Sequence, residues 1–158
     1  MKWNLACRHD HPTAALKLVS QPTSLTASDL LWQDWSRLEE MVPAASVERI
    51  DVDNVLHTLS WRVIDAVLIT LAGKLQPGGT LHIRVPDHEA VCQSLLADPD
   101  RAQRWQEQLY GDQRDTDAQT RSLWTEKLMN QRLLMAGLIV QSMEQEAGWL
   151  HAWGQRPQ

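Results

Sequence analysis

Leu81, Ile83 and Val85 alternate with His82 and Arg84 across residues 80–85. That two-residue period predicts a strand with one face turned to a core. A looser alternation over 47–52, with Ile50 and Val52 against Arg49 and Asp51, predicts another. The short apolar runs at 3–7 and 14–19 read as strand-length segments, the first a buried strand. Elsewhere the period lengthens. Leu31, Trp35, Leu38 and Val42 predict a helix over 28–42, with Ser28 as N-cap, Asp29 in its first turn and Pro43 at its end. Trp61, Ile64, Leu68, Leu71 and Leu75, widened by Val67, predict a helix over 61–75 that Pro77-Gly78-Gly79 stops. Further helices are expected over 88–96, from Pro99 behind an Asp98 N-cap, and over 122–136. Trp105 and Leu109 fall four apart on the second of these, while Trp124, Leu128 and Met135 mark the inner face of the third. Gly137 suits the left-handed closing position. Residues 138–143 and 149–153 read as an antiparallel pair around Ala147-Gly148. The polar stretch 110–120 is expected to be a loop and 155–158 a frayed tail.

Strands separated by helices and followed by a hairpin predict an α/β fold. The expected form is a three-layer sandwich: a mostly parallel central sheet, an antiparallel last strand and helices on both faces. The length of 158 residues suits one domain spanning 1–158. No run of 18 apolar residues occurs, so no membrane span is expected. The polar N-terminus has no signal-peptide pattern, and the two cysteines, Cys7 and Cys92, lie far apart. A reduced, cytoplasmic protein is the expectation. The net charge of −5, with basic residues scattered, points away from nucleic acid, which calls for concentrated positive charge. Eight Trp and no Phe leave Trp, Leu and Met to fill the large apolar positions. Trp149 and Trp153, four apart on a strand, share a face, and burial against a helix of the sheet is expected for them.

The segment from Leu71 to Asp87 contains Gln76-Pro77-Gly78-Gly79, an apolar strand and Val85-Pro86-Asp87. It resembles the block that joins the helix after strand four to strand five in class I S-adenosylmethionine-dependent methyltransferases. Residues 47–59 resemble strand four and the turn after it. Leu109-Tyr110-Gly111-Asp112-Gln113 is similar to a Tyr-Gly-x-Gln stretch of a small-methyltransferase subgroup, and Met135-Ala136-Gly137-Leu138 resembles the turn before strand six. The resemblance implies a Rossmann-like sheet, S-adenosylmethionine as cofactor and a small-molecule methyl acceptor.

It also implies where the cofactor would lie: over the first and fourth strand ends, near Ala6, Cys7, Ser20, Asp53 and Asn54. His57 and Asp53 are the candidate catalytic residues, His57 as a general base. The family's first strand ends in a Gly-rich turn that lets backbone approach the cofactor. Here Leu5-Ala6-Cys7-Arg8-His9-Asp10-His11-Pro12 contains no glycine. Ser20-Gln21 stands where an acid normally holds the ribose, and His57-Thr58 where the subgroup carries Glu-His. The expected function is therefore a reduced methyltransferase-like domain with weakened or lost cofactor binding, serving as a binding or assembly module. It would pair with itself or with a protein partner. The alternative is an active methyltransferase acting on a small molecule. His9-Asp10-His11 lacks the further ligands of a specific metal site, so no metal is expected. Asp87 is expected to shape its turn.

Overall fold

The computed structural model describes residues 2–6, 42–111, 113 and 119–158, the first five by their backbone. The elements are β1 (Lys2–Ala6), β2 (Val47–Asp53), a 3-10 turn (Leu56–Thr58), α1 (Ile64–Lys74), β3 (Leu75–Pro86), α2 (His88–Ala97), a 3-10 helix (Pro99–Trp105), α3 (Gln106–Tyr110), α4 (Glu126–Met135), β4 (Ile139–Glu146) and β5 (Trp149–Gln155). The strands form one sheet in the order β1-β2-β3-β5-β4. β1, β2 and β3 run parallel; β5 runs antiparallel to both β3 and β4. This is the α/β arrangement the chain's periodicity predicts, with β3 central.

The alternation in β2, β3 and β5 sorts their side chains onto two faces. Ile50, Val52, Leu81, Ile83, Val85, Leu150 and Ala152 are all buried and join one core with Ile64, Leu68 and Leu71 of α1 and Met129 and Leu133 of α4. The other face carries Arg49, Asp51, Asp53, His82, Arg84, Trp149, His151 and Trp153, as the pairing register requires. The helix expected over 28–42 lies outside the described residues except for Val42, which is buried in the core. The strand-length run at 14–19 lies outside them entirely. Among the described residues no helix is long and apolar enough to cross a membrane.

Several boundaries differ from the sequence expectation. α1 begins at Ile64, so Trp61 falls in the preceding turn and is 58% exposed, with the Arg62 guanidinium over its ring. The helix ends at Lys74, and β3 has already begun when Pro77-Gly78-Gly79 is reached. Those residues therefore shape a strand instead of stopping a helix. A Cβ on Gly79 would lie 2.9 Å from the carbonyl oxygens of both Gln76 and Val47, so only glycine admits β2 here. The segment from Pro99 divides into the 3-10 helix and α3, so Trp105 and Leu109 do not share one α-helix.

α4 starts at Glu126 because Thr125 caps it, its hydroxyl accepting from the Leu128 N–H. Ser122 and Trp124 thus precede the helix. Its buried stripe is Met129 and Leu133, while Met135 is exposed. Gly137, at φ 80, closes α4 as expected. Ala147 and Gly148 both have positive φ, as a two-residue hairpin turn that follows strand twist requires. The stretch 110–120 is described only in part; Gly111 and Gln119 form an isolated antiparallel bridge across it. The tail is not frayed at Arg156. Its backbone exchanges hydrogen bonds with Gly78 and Gly79, and its guanidinium donates to the carbonyls of Gly73 and Leu75.

Trp149 and Trp153 do share a face, but it is the one turned away from the core of α1 and α4. Antiparallel pairing places Trp149 opposite Pro86 and Trp153 opposite His82. Both are half-buried: the Arg84 guanidinium lies over Trp149, and the His82 ring stacks on Trp153.

Candidate functional site

Ligands of open parallel sheets collect beyond the carboxyl ends of the strands. Here that edge is formed by Ala6, Asp53 and Arg84, which are successive partners across β1, β2 and β3. The register therefore places Ala6, Asp53 and Asn54 at one edge of the sheet. Cys7 and Ser20 lie outside the described residues, as do His9, Asp10 and His11.

Asp53 is already engaged. Its carboxylate accepts a hydrogen bond from Arg84 Nε, and the same guanidinium sits 4.6 Å from the Trp149 ring centroid. Asn54 adopts φ 56 and donates its N–H to the Arg84 carbonyl at 2.9 Å, turning the chain out of the sheet. Asn tolerates that left-handed region better than most residues.

The turn that follows carries His57 inward. It is 5% exposed, and its carbonyl accepts from the N–H groups of Arg121 and Ser122. Burial, reinforced by the nearby His88, pulls the His57 pKa down to about 4. The imidazole is thus neutral at pH 7. Its Nδ1 finds no hydrogen-bond partner among the described residues. A neutral, enclosed imidazole can accept or donate one hydrogen bond to a group brought beside it; it does not exchange protons freely with solvent.

The end of β3 builds the second half of the edge. Asp87, fully buried, caps α2 by accepting from the N–H groups of Glu89 and Ala90, each at 3.1 Å. That is the turn-shaping role its sequence position suggests. His88 is buried as well, and burial lowers its pKa. The segment before α4 fastens the two halves together. Ser122 Oγ donates to the Leu56 carbonyl and accepts from Trp124 Nε1, and Trp124 packs at 0% exposure with Arg132 over its ring.

Arg84, His88, Ser122 and Trp124 are absent from the sequence-derived candidates. Arg84 reads there only as a polar position of a strand. The helical period places His88 on one helix and Ser122 and Trp124 on another, and their meeting depends on a contact between residues 36 apart.

No protein-family model matches this chain, and no curated protein matches it. Solved structures do. An S-adenosylmethionine-dependent methyltransferase from Archaeoglobus fulgidus superposes with a TM-score of 0.52 at 8% identity, covering 76% of this chain and 64% of its own. A Haloferax volcanii complex of the Trm112 methyltransferase activator with a candidate methyltransferase gives 0.53 at 15% identity, over 74% of this chain and 57% of that one. The 1,6-didemethyltoxoflavin-N1-methyltransferase of Burkholderia thailandensis, solved with S-adenosylhomocysteine, gives 0.50 at 12%, over 79% and 57%. The chain spans less than two-thirds of the length of each. Sheet order, the crossover helix and the antiparallel final strands thus give this chain the Rossmann-like α/β fold of the S-adenosylmethionine-dependent methyltransferases.

Proposed function

We propose that this chain is a reduced methyltransferase-fold domain, organised as one unit over 1–158, in which S-adenosylmethionine binding is weakened or lost. It serves as a binding or assembly module. The observation that carries this reading is the ion pair between Asp53 and Arg84 at the carboxyl edge of the sheet. A carboxylate held by a guanidinium is a poorer acceptor for a cofactor hydroxyl, because binding must first break a charge-assisted bond. The sequence adds that no glycine lies between Leu5 and Pro12, where backbone would have to approach the cofactor. The residues present therefore fit the cofactor poorly. His57, neutral and enclosed, is likewise a weak candidate for a base that must discharge its proton to water.

A partner protein is the more economical role for such a domain, and the Haloferax complex is a precedent for this fold docking a protein. The alternative reading, an active methyltransferase on a small molecule, draws on the intact parallel trio β1, β2 and β3. Under it Ala6, Cys7, Ser20, Asp53 and Asn54 would surround the cofactor, with His57 and Asp53 at the acceptor. Calorimetric titration of the full chain with S-adenosylmethionine and S-adenosylhomocysteine separates the two. Absence of heat at millimolar cofactor is the expected result. A dissociation constant in the micromolar range overturns it and directs attention to His57 and Asp53 variants.

A further inference from the structure

The polar face of the sheet carries a side-chain chain that the candidate site does not use. Asp51, His82 and His151 come from β2, β3 and β5 and meet across the middle of the sheet. Asp51 Oδ1 lies 3.2 Å from His82 Nδ1, and His82 Nε2 lies 3.3 Å from His151 Nδ1. Asp51 and His82 retain 19% of their side-chain exposure, so water and small solutes reach the group. We propose that His82 Nε2 and His151 Nδ1 are two ligands of a surface site for a borderline divalent transition-metal ion, zinc, nickel or copper.

Three features support this. The first is spacing. Two imidazole nitrogens at about 2.05 Å from a tetrahedral metal lie about 3.3 Å apart, and His82 Nε2 and His151 Nδ1 have that separation.

The second is the tautomer. Asp51 can only accept when ionised, so His82 Nδ1 carries the proton and Nε2 presents its lone pair. A carboxylate behind a histidine ligand, fixing its ring and strengthening its basicity, is the common support of metal-bound histidine. His151 can pass its proton from Nδ1 to Nε2 when a metal takes Nδ1.

The third is charge. Glu144 is paired opposite His151 and Glu146 opposite Trp149, so among the residues of β2 to β5 this face holds Asp51, Asp53, Glu144 and Glu146 against Arg49 and Arg84. Arg84 is ion-paired with Asp53 and lies over Trp149, and Arg49 is ion-paired with Asp51 through the same carboxylate oxygen that faces His82. The stack of His82 on Trp153, at 4.6 Å between centroids, fixes the first ring in place. No three His, Cys, Asp or Glu side chains converge on one point among the described residues. The two histidines would thus supply half of a tetrahedral shell and water the rest, leaving an exchangeable, open site.

The test uses the full chain with His9→Gln and His11→Gln, which removes the other histidine pair that the sequence offers to a metal. Calorimetric titration with Zn2+ should show one equivalent bound. His82→Gln and His151→Gln should each weaken binding at least tenfold, and Asp51→Asn about tenfold. Circular dichroism checks that each variant folds. A second readout does not depend on affinity: the Cu2+ electron paramagnetic resonance spectrum should show splitting from two imidazole nitrogens, reduced to one in either histidine variant. No binding at millimolar metal, or binding and spectra indifferent to both histidine substitutions, overturns the site and leaves a hydrogen-bonded pair only.

Discussion

His88 and Trp124 exchange two backbone-anchored hydrogen bonds across 36 residues: the His88 N–H donates to the Trp124 carbonyl at 3.0 Å, and the Trp124 N–H donates to His88 Nδ1 at 3.0 Å. Both residues are buried. The pair locks the start of α2 to the segment that leads into α4, and Ser122 extends the lock to the turn holding His57. The carboxyl edge is therefore shaped by a buried polar network and not by apolar packing alone.

Removing one member of that network should leave a buried donor without an acceptor. His88→Ala strands the Trp124 N–H, and Ser122→Ala strands the Trp124 indole N–H. Each should cost about 1–3 kcal/mol. Urea denaturation of the two single variants and the double variant checks this. Because both substitutions act on Trp124, their effects should depart from additivity by about 0.5 kcal/mol or more.

Acid should weaken the fold above the range where carboxylates titrate. In the unfolded chain a histidine takes up its proton as pH falls through about 6.5, whereas folded His57 stays neutral down to about 4. Between those values the unfolded state binds more protons, so stability falls as pH falls. The full shift corresponds to a loss on the order of 3 kcal/mol. His88, also lowered, acts in the same direction. Urea midpoints at pH 7.5, 6, 5 and 4 should trace the decline. In His57→Asn it should be markedly shallower; an unchanged slope would exclude His57 as its source.

Two adjacent glycines should respond differently to alanine. Gly78 sits at φ 75 with open space around it, so Gly78→Ala carries only the left-handed backbone strain, about 1–2 kcal/mol. In Gly79→Ala the new methyl meets two backbone carbonyls at 2.9 Å, and neither can swing aside. Gly79→Ala should therefore be the more destabilising of the pair in thermal melts.

The Arg156 side chain should contribute to stability beside its backbone hydrogen bonds. Arg156→Met removes the donors to the Gly73 and Leu75 carbonyls at the end of α1. A loss of about 1 kcal/mol is expected. Deleting residues 157–158 should change nothing measurable.

The sequence by itself determined the class of fold and the strongest elements. Leu81, Ile83 and Val85 against His82 and Arg84 define the central strand. The apolar period around Ile64, Leu68 and Leu71 defines the helix beside it, and Ala147-Gly148 defines the final hairpin. These are local signals, because strand alternation, helical period and turn chemistry act over a few residues. The expectation that Ala6, Asp53 and Asn54 lie at one edge came from the resemblance to the methyltransferases, not from any local period.

Tertiary structure decided what each polar residue at that edge can do. Asp53 is paired with Arg84 because parallel register puts position 53 beside 84. His57 is neutral because the chain around Ser122 closes over its turn. Trp124 precedes a helix instead of riding on it, since Thr125 caps α4. Asp51, His82 and His151 become neighbours only when three strands are laid side by side. Apart from the Thr125 cap, which is local, each of these facts is a contact between residues distant in sequence, and no local period encodes which distant partner a polar side chain will meet.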